Sequence, residues 1–199
     1  MSQTLKGKSA VVTGAGNPVG IGRAVAIAMA AEGAKVVVND IGKDKSGKSA
    51  ADIVVAEITK AGGTAVANYD SVATMKGGEN IVKTAVKKFS KIDILVNCAG
   101  NFFPKHIYET TEEEWDSIMA VHLKGHFACS KAAMVEMIKQ KSGKIVNVTS
   151  GAGIHGCFFT SGYAAAKAGI IAFTKGVSKE AAPEGINMNC VSPGVANTG

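Results

Sequence analysis

The stretch Ser9-Ala10-Val11-Val12-Thr13, running into Gly14-Ala15-Gly16-Asn17-Pro18-Val19-Gly20-Ile21-Gly22, decides the fold. An apolar run breaks into glycines, and a helical pattern follows from about Gly20 to Glu32. In it Ile21, Val25, Ala28 and Met29 share one face, while the small Ala24 and Ala28 permit close approach. Gly33 ends the helix, and Lys35-Val36-Val37-Val38-Asn39 reads as a second strand with Asp40 at its C-terminal tip. Strand, glycine-rich turn, helix and strand make one βαβ unit, which calls for a parallel sheet.

The alternation continues to the end of the chain. Ile41 to Ser49 is a polar loop, Ala50 to Lys60 a helix stopped by Gly62-Gly63, and Thr64 to Asn68 a third strand. A helix is predicted from Thr74 to Phe89, with Gly77-Gly78 blurring its start, and a strand from Ile92 to Val96. Glu112 to Gln140 is helical, capped by Thr110 or Thr111. Ile145 to Thr149 is the fifth strand, Ser161 to Ala181 a long helix closed by Pro183, and Ile186 to Val191 the sixth strand. Runs such as Val36-Val38 and Ile94-Val96 lack period two, as strands buried on both faces do. The expected architecture is α/β, a doubly wound parallel, Rossmann-like sheet in a single domain over residues 1–199. A (β/α)₈ barrel needs about 250 residues and is excluded.

Composition narrows the function classes. With 46% hydrophobic and 19% charged residues, the 199-residue chain is not disordered. No apolar run is long enough to span a bilayer, and Met1 to Lys8 lacks the apolar segment of a signal peptide. Cys98, Cys129, Cys157 and Cys190 form no C-x-x-C pair and read as small hydrophobes, so a cytoplasmic or other reducing intracellular compartment is expected. The net charge of +6 comes from 21 lysines and the single Arg23. That balance suits a solvated surface better than a reader of nucleic acid, which favours arginine forks. His106, His126 and His155 are not at ligand spacing, so no metal site is expected.

Two constellations carry chemistry. A glycine-rich turn opening a helix lets the backbone approach a pyrophosphate, and the helix N-terminus offers free N–H groups. Gly14 supplies the turn, Gly20 and Gly22 start the helix, and Asn17 and Ile21 lie among them. The same glycines would serve a plain strand–helix turn; Asp40, at the tip of the second strand, favours the dinucleotide. A carboxylate there accepts the ribose hydroxyls of an adenosine and repels a 2′-phosphate, pointing to NAD. Lys43 and Lys45 offset part of that repulsion, so NADP stays open. Asp70, with Ser71 beside it after the third strand, reads either as an acceptor for an adenine amine or as a turn or capping residue.

Tyr163 and Lys167, four residues apart on a predicted helix, share a face. A phenol, of ordinary pKa about 10, is a poor base at neutral pH, and an adjacent ammonium favours the phenolate. Ser150 ends the fifth strand near the same mouth of the sheet and can bind a carbonyl or hydroxyl. The three can move a proton to or from an alcohol oxygen while hydride moves at carbon. Phe102-Phe103 and Phe158-Phe159 read as an apolar wall for an acyl chain or ring, or as local packing.

Together these elements resemble the short-chain dehydrogenase/reductase family, from Lys6 to the end of the chain. Thr13-Gly14 with Gly20-Ile21-Gly22 is similar to the family's cofactor loop, and Asn97-Cys98-Ala99-Gly100 to its Asn-Asn-Ala-Gly element. Ser150, thirteen residues before Tyr163, and then Lys167 reproduce its catalytic spacing; Ser192-Pro193-Gly194 with Thr198 resembles its Pro-Gly-x-x-x-Thr segment. The resemblance implies an NAD-dependent oxidoreductase interconverting a secondary alcohol and a ketone. Tyr163 would be the general acid/base, Lys167 and Ser150 its partners, and Asn97 the support of sheet and relay. Ala99, Gly100, Pro193, Gly194 and Thr198 would adjoin the cofactor. The resemblance also implies a small-molecule substrate, a homodimer or homotetramer through the two long helices, and a seventh strand and lid. The sequence stops after the sixth strand, so a C-terminally incomplete domain is expected.

Two features depart from the family pattern. Ala15 to Val19 lengthen the loop, with Pro18 stiffening it. His122, in Val121-His122-Leu123-Lys124-Gly125, stands where the family has asparagine, as a catalytic candidate through side chain or carbonyl, or as a plain helix residue. His-Leu-x-Gly, Val38-Asn39-Asp40-Ile41-Gly42 and the run Val66 to Val72 are similar to the (3R)-hydroxyacyl-CoA dehydrogenase branch found in type 2 peroxisomal multifunctional enzymes. That branch implies a 3-hydroxyacyl thioester. A steroid or cyclic alcohol, or a nucleotide-binding protein without turnover, are the alternatives.

Overall fold

Strand β1 (Ser9–Thr13) is buried at every position, and the structure, a computed structural model describing residues 3–194, builds outward from it. Parallel pairing joins β1 to β2 (Lys35–Asn39) on one side and to β4 (Ile94–Asn97) on the other. β3 (Thr64–Asn68) follows β2, while β5 (Gly143–Val148) and β6 (Ile186–Val191) extend the β4 side. The order β3-β2-β1-β4-β5-β6 is that of a doubly wound sheet, with its winding reversed between β1 and β4. Register levels the C-terminal tips: Thr13 lies opposite Asn39, and Asn39 opposite Asn68.

Alternate residues of each strand face opposite layers. Ala10, Val12, Val36 and Val38 pack under α1 (Ile21–Ala31) and α2 (Ala50–Lys60). Val11, Val37, Leu95 and Ile145 pack under α3 (Met75–Phe89), α5 (Gly125–Gln140) and α7 (Ser161–Ala181). Between β4 and α5 the chain forms α4 (Glu112–Met119), which passes through a π-helical turn at Ala120–Lys124 into α5. Thr111, rather than Thr110, caps α4: its Oγ1 accepts from the Glu114 amide at 3.2 Å, and the Glu114 carboxylate accepts from the Thr111 amide at 3.1 Å.

Several expectations need correction. The buried stripe of α1 is Gly22, Ala26 and Ala30, whereas Ile21, Val25 and Met29 are half-buried and Ala24 and Ala28 exposed. Close approach selects the small face, since a Cβ on Gly22 would run into the Gly14 carbonyl. β4 begins at Ile94 instead of Ile92 because the Ile92 backbone pairs with a side chain: its carbonyl accepts from Gln140 Nε2 at 2.9 Å. β5 is shifted two residues earlier at its start and ends at Val148. A short helix, α6 (Ala152–His155), was not anticipated. Cys157 is exposed rather than a small core residue, while Cys129 is fully buried. Among the described residues, no helix is long and apolar enough to cross a membrane.

Candidate active site

At the reversal point a buried network holds the strand tips. Asn97, the last residue of β4, donates from Nδ2 to Asn147 Oδ1 at 2.9 Å and Ser130 Oγ at 3.1 Å. Asn147 donates onward to Thr174 Oγ1 at 2.9 Å, so β4, β5, α5 and α7 share one chain of bonds. On β1, Thr13 Oγ1 accepts from the Cys98 and Ala99 amides, each at 3.1 Å. These bonds fix the turn after β4 against the glycine loop after β1.

The loop itself leaves no room for side chains. A Cβ on Gly14, whose φ is +62°, would sit 2.6 Å from Ala99 Cα, and one on Gly16 would meet the Asp40 side chain at 2.7 Å. The lengthened part folds into a tight turn: Asn17 Oδ1 accepts from the Val19 amide at 3.1 Å, and the Asn17 carbonyl from the Gly20 amide at 2.9 Å. The extra residues are thus absorbed before α1 begins. No side chain caps α1, and no acidic residue lies in its first turn. Asp40 accepts from the Gly16 amide at 2.7 Å and the Gly42 amide at 2.8 Å, one through each carboxylate oxygen. A cleft of about 710 Å³ runs from Asp40 and this loop to Ser150, Tyr163 and Lys167. Close-packed glycine backbone, an open helix N-terminus and a carboxylate at the β2 tip fit a dinucleotide's pyrophosphate and ribose.

At the other end of the cleft, α7 places Lys167 one turn after Tyr163. Lys167 is only 4% exposed; its Nζ donates to the Val148 carbonyl at 2.8 Å and lies 5.4 Å from the Tyr163 ring centre. Burial lowers the lysine amine to about 8, with Cys98 acting the other way. The Tyr163 ring meets Phe102 edge-on at 5.2 Å and His122 at 5.3 Å. Ser150 Oγ accepts from the Ala152 amide at 3.2 Å, which turns the chain at the start of α6.

Residues 8–199 match the family of short chain dehydrogenases. The chain belongs to that family. A 3-oxoacyl-[acyl-carrier-protein] reductase from Synechocystis is 45% identical over 194 residues, covering 98% of this chain and 76% of that protein. The peroxisomal hydratase-dehydrogenase-epimerase of Saccharomyces cerevisiae is 44% identical over 96% of this chain, which spans 21% of its length. A Mycobacterium avium short chain dehydrogenase of known structure superposes with a TM-score of 0.90 at 44% identity, over 95% of this chain and 68% of that one. Members of the family are oxidoreductases that use nicotinamide cofactors.

Within this short chain dehydrogenase, the cleft gathers most of the candidates read from the sequence. Gly14, Asn17, Gly20, Ile21 and Gly22 line its loop side; Gly100, His122, Pro193 and Gly194 line its far end. Asn97, Ala99, Asp70 and Ser71 are not on its walls. Asn97 acts from beneath, and Asp70 is engaged by Asn80 Nδ2 at 2.9 Å and Asn68 Nδ2 at 2.8 Å. Thr198 lies outside the described residues. His122 Nε2 lies 2.8 Å from the Asn101 carbonyl oxygen and 3.1 Å from the Asn101 amide nitrogen, so the same backbone residue holds it in either tautomer, and a Cβ on Gly100 would press on its ring at 2.6 Å. Burial, then the Lys167 charge, push this imidazole down to about 4, so it is neutral. Gly16, Arg23 and Cys98 line the cleft without having been singled out as cofactor contacts. The Gly14-x-Gly16 spacing signalled the first; Arg23 reaches the loop through Nη1, which donates to the Pro18 carbonyl at 3.2 Å, a contact that no local pattern announces.

Proposed function

We propose that this chain is an NAD-dependent oxidoreductase that interconverts the secondary alcohol and ketone of a 3-hydroxyacyl thioester. The observation that carries the reading is the buried Lys167 ammonium beside the Tyr163 ring, facing Ser150 across a cleft that begins at the glycine loop. In the oxidising direction the Tyr163 oxygen takes the proton of the substrate hydroxyl. Lys167, held by the Val148 carbonyl and shut away from water, supports the negative charge on that oxygen. Ser150 Oγ hydrogen-bonds to the reacting oxygen and orients it. A bound nicotinamide supplies the hydride acceptor. Asp40 supports NAD over NADP, because its carboxylate keeps lone pairs for ribose hydroxyls and Arg23 is already paired with Glu57.

The substrate class draws on two lines of support. The Synechocystis relative is named a 3-oxoacyl-[acyl-carrier-protein] reductase. Phe102 and Phe103, with Phe158 (85% exposed) and Phe159, present apolar surface suited to an acyl chain. The homo-oligomer reading draws support from Phe127, Val135 and Ile138, which leave apolar surface exposed on α5. The reading is tested by adding NAD⁺ and a 3-hydroxyacyl thioester and following NADH absorbance. Turnover should fall by about 10²- to 10⁴-fold in Tyr163→Phe. Saturable NADH binding without turnover on any hydroxyacyl thioester, steroid or cyclic alcohol would favour a nucleotide-binding protein instead.

A further inference from the structure

Tyr163 stands between two rings that take no part in the proposed proton transfer. Phe102, in the loop after β4, meets it with ring centres 5.2 Å apart and planes at 79°; His122, from the π-helical turn, meets it at 5.3 Å and 88°. Both separations lie in the range where perpendicular aromatic pairs attract. Among the described residues no hydrogen bond holds the Tyr163 hydroxyl, so packing rather than a polar partner sets the direction of the phenol.

The two neighbours are tied to each other. His122 Nε2 is held by the backbone of Asn101, the residue before Phe102. Asn101 is anchored in turn to α4, where its Nδ2 donates to Ser117 Oγ at 2.8 Å. Gly100 lets the loop lie flat on the imidazole, since a Cβ there would come within 2.6 Å of His122 Cε1. The contacts close a circuit: Tyr163 to His122, His122 to the Asn101 backbone, then along the chain through Phe102 back to Tyr163. His122 is buried at its base, and Phe102 is half-exposed on the wall of the cleft.

We propose that Phe102 and His122 form a clamp on the Tyr163 ring, closed through the Asn101 backbone, which makes both of them positioning residues for the phenol oxygen. A tyrosine ring reaches its helix through a single Cβ and can swing about two torsions; a ring on either side restricts both. Lys167 Nζ lies 5.4 Å from the ring centre, so a swing of the phenol changes its distance from the ammonium as well as from the substrate. A misplacement of about 1 Å is enough to cost about a hundredfold in rate.

The inference rests on Tyr163 being the proton-transferring group, yet its first test needs neither substrate nor cofactor, so the two can fail separately. With phenylalanine and tyrosine rings labelled with carbon-13, an NMR cross-relaxation signal should join the Phe102 and Tyr163 rings, each assigned from the resonance missing in Phe102→Leu or Tyr163→Phe. His122→Phe keeps a neutral ring and removes the bond to Asn101, so that signal should be lost; His122→Gln, whose amide reaches the Nε2 position, should keep it. In turnover, a 3-hydroxybutanoyl thioester leaves little chain to rest on Phe102. With it, His122→Phe and Phe102→Leu should each lower kcat about 10- to 100-fold while KM stays within about twofold, and the double variant should lose little more than the worse single one. A signal that survives in His122→Phe, or is lost equally in His122→Gln, overturns the clamp, as do kcat losses that multiply in the double variant. So does the absence of the signal from the unmutated protein, a result that needs no variant to fold.

Discussion

Lys167→Met should stabilise the fold while removing turnover. Burial lowers the amine from its ordinary 10.5 to about 8. At about 1.4 kcal/mol for each tenfold loss of proton affinity, holding this ammonium costs the folded state about 3 kcal/mol at neutral pH. Methionine has a similar unbranched shape and needs no partner, but it strands the Val148 carbonyl, a loss of about 1–2 kcal/mol. The balance favours the variant by about 1–2 kcal/mol, or about 2–8 °C in melting temperature for a chain of this length. The pH dependence identifies the cause. Between pH 8 and 10.5 the unfolded lysine still binds a proton that the folded one has released, so the unmutated protein gains stability as pH rises through that window. Below it both states are protonated and the penalty is full; above it both are neutral and the penalty is gone. The variant's advantage should therefore shrink from pH 8 upward and vanish or reverse near 10.5. Calorimetric melting across that range is the assay. A variant less stable than the parent at neutral pH, or an advantage that ignores pH, refutes the reasoning.

Asn97→Ala should lower stability by about 2–4 kcal/mol in denaturant unfolding, since it deprives Asn147 Oδ1 and Ser130 Oγ of their donor in a buried network. Asn97→Asp should be worse, because it sets a carboxylate oxygen against Asn147 Oδ1. Thr74→Ala removes the cap that accepts from the Gly77 amide at 3.0 Å, and should cost about 1 kcal/mol in thermal unfolding with NADH affinity unchanged. Iodoacetamide under native conditions should label the exposed Cys157 first and leave Cys129 unlabelled, its thiol being buried and pushed up to about 12; mass spectrometry of the tryptic peptides distinguishes the two.

Much of the fold was legible because each element announces itself locally. The β1 run, the glycine turn and the Lys35–Asn39 run imply parallel strands, and the boundaries of β1, β2, β3, α2, α7 and β6 follow from glycines, caps and apolar runs. Where the reading slipped, a distant contact had decided the matter. Ile92 is apolar and adjoins a strand, yet Gln140, far along the chain, takes its carbonyl and ends the ladder before it. The face of α1 was misassigned because hydrophobicity favours Ile21 and Met29, whereas close contact between Gly22 and the Gly14 carbonyl favours the smaller residues.

The cleft follows the same rule. Tyr163 and Lys167 could be paired from sequence because one helical turn joins them, and the glycines because no other residue fits the loop. The Val148 carbonyl that holds Lys167 could not, since it lies at the end of β5 and meets the lysine only once α7 packs on that strand. That arrangement has a chemical consequence. A carboxylate partner would hold the lysine more firmly and relieve its burial, but it would also cancel the charge on which the proposed reaction at the Tyr163 oxygen depends. A neutral acceptor, the Val148 carbonyl, holds the ammonium in place and leaves its charge uncancelled beside the Tyr163 ring. The stability given up at Lys167 and the reactivity proposed for Tyr163 are therefore one property of the same cluster, and a change that recovers the first should forfeit the second.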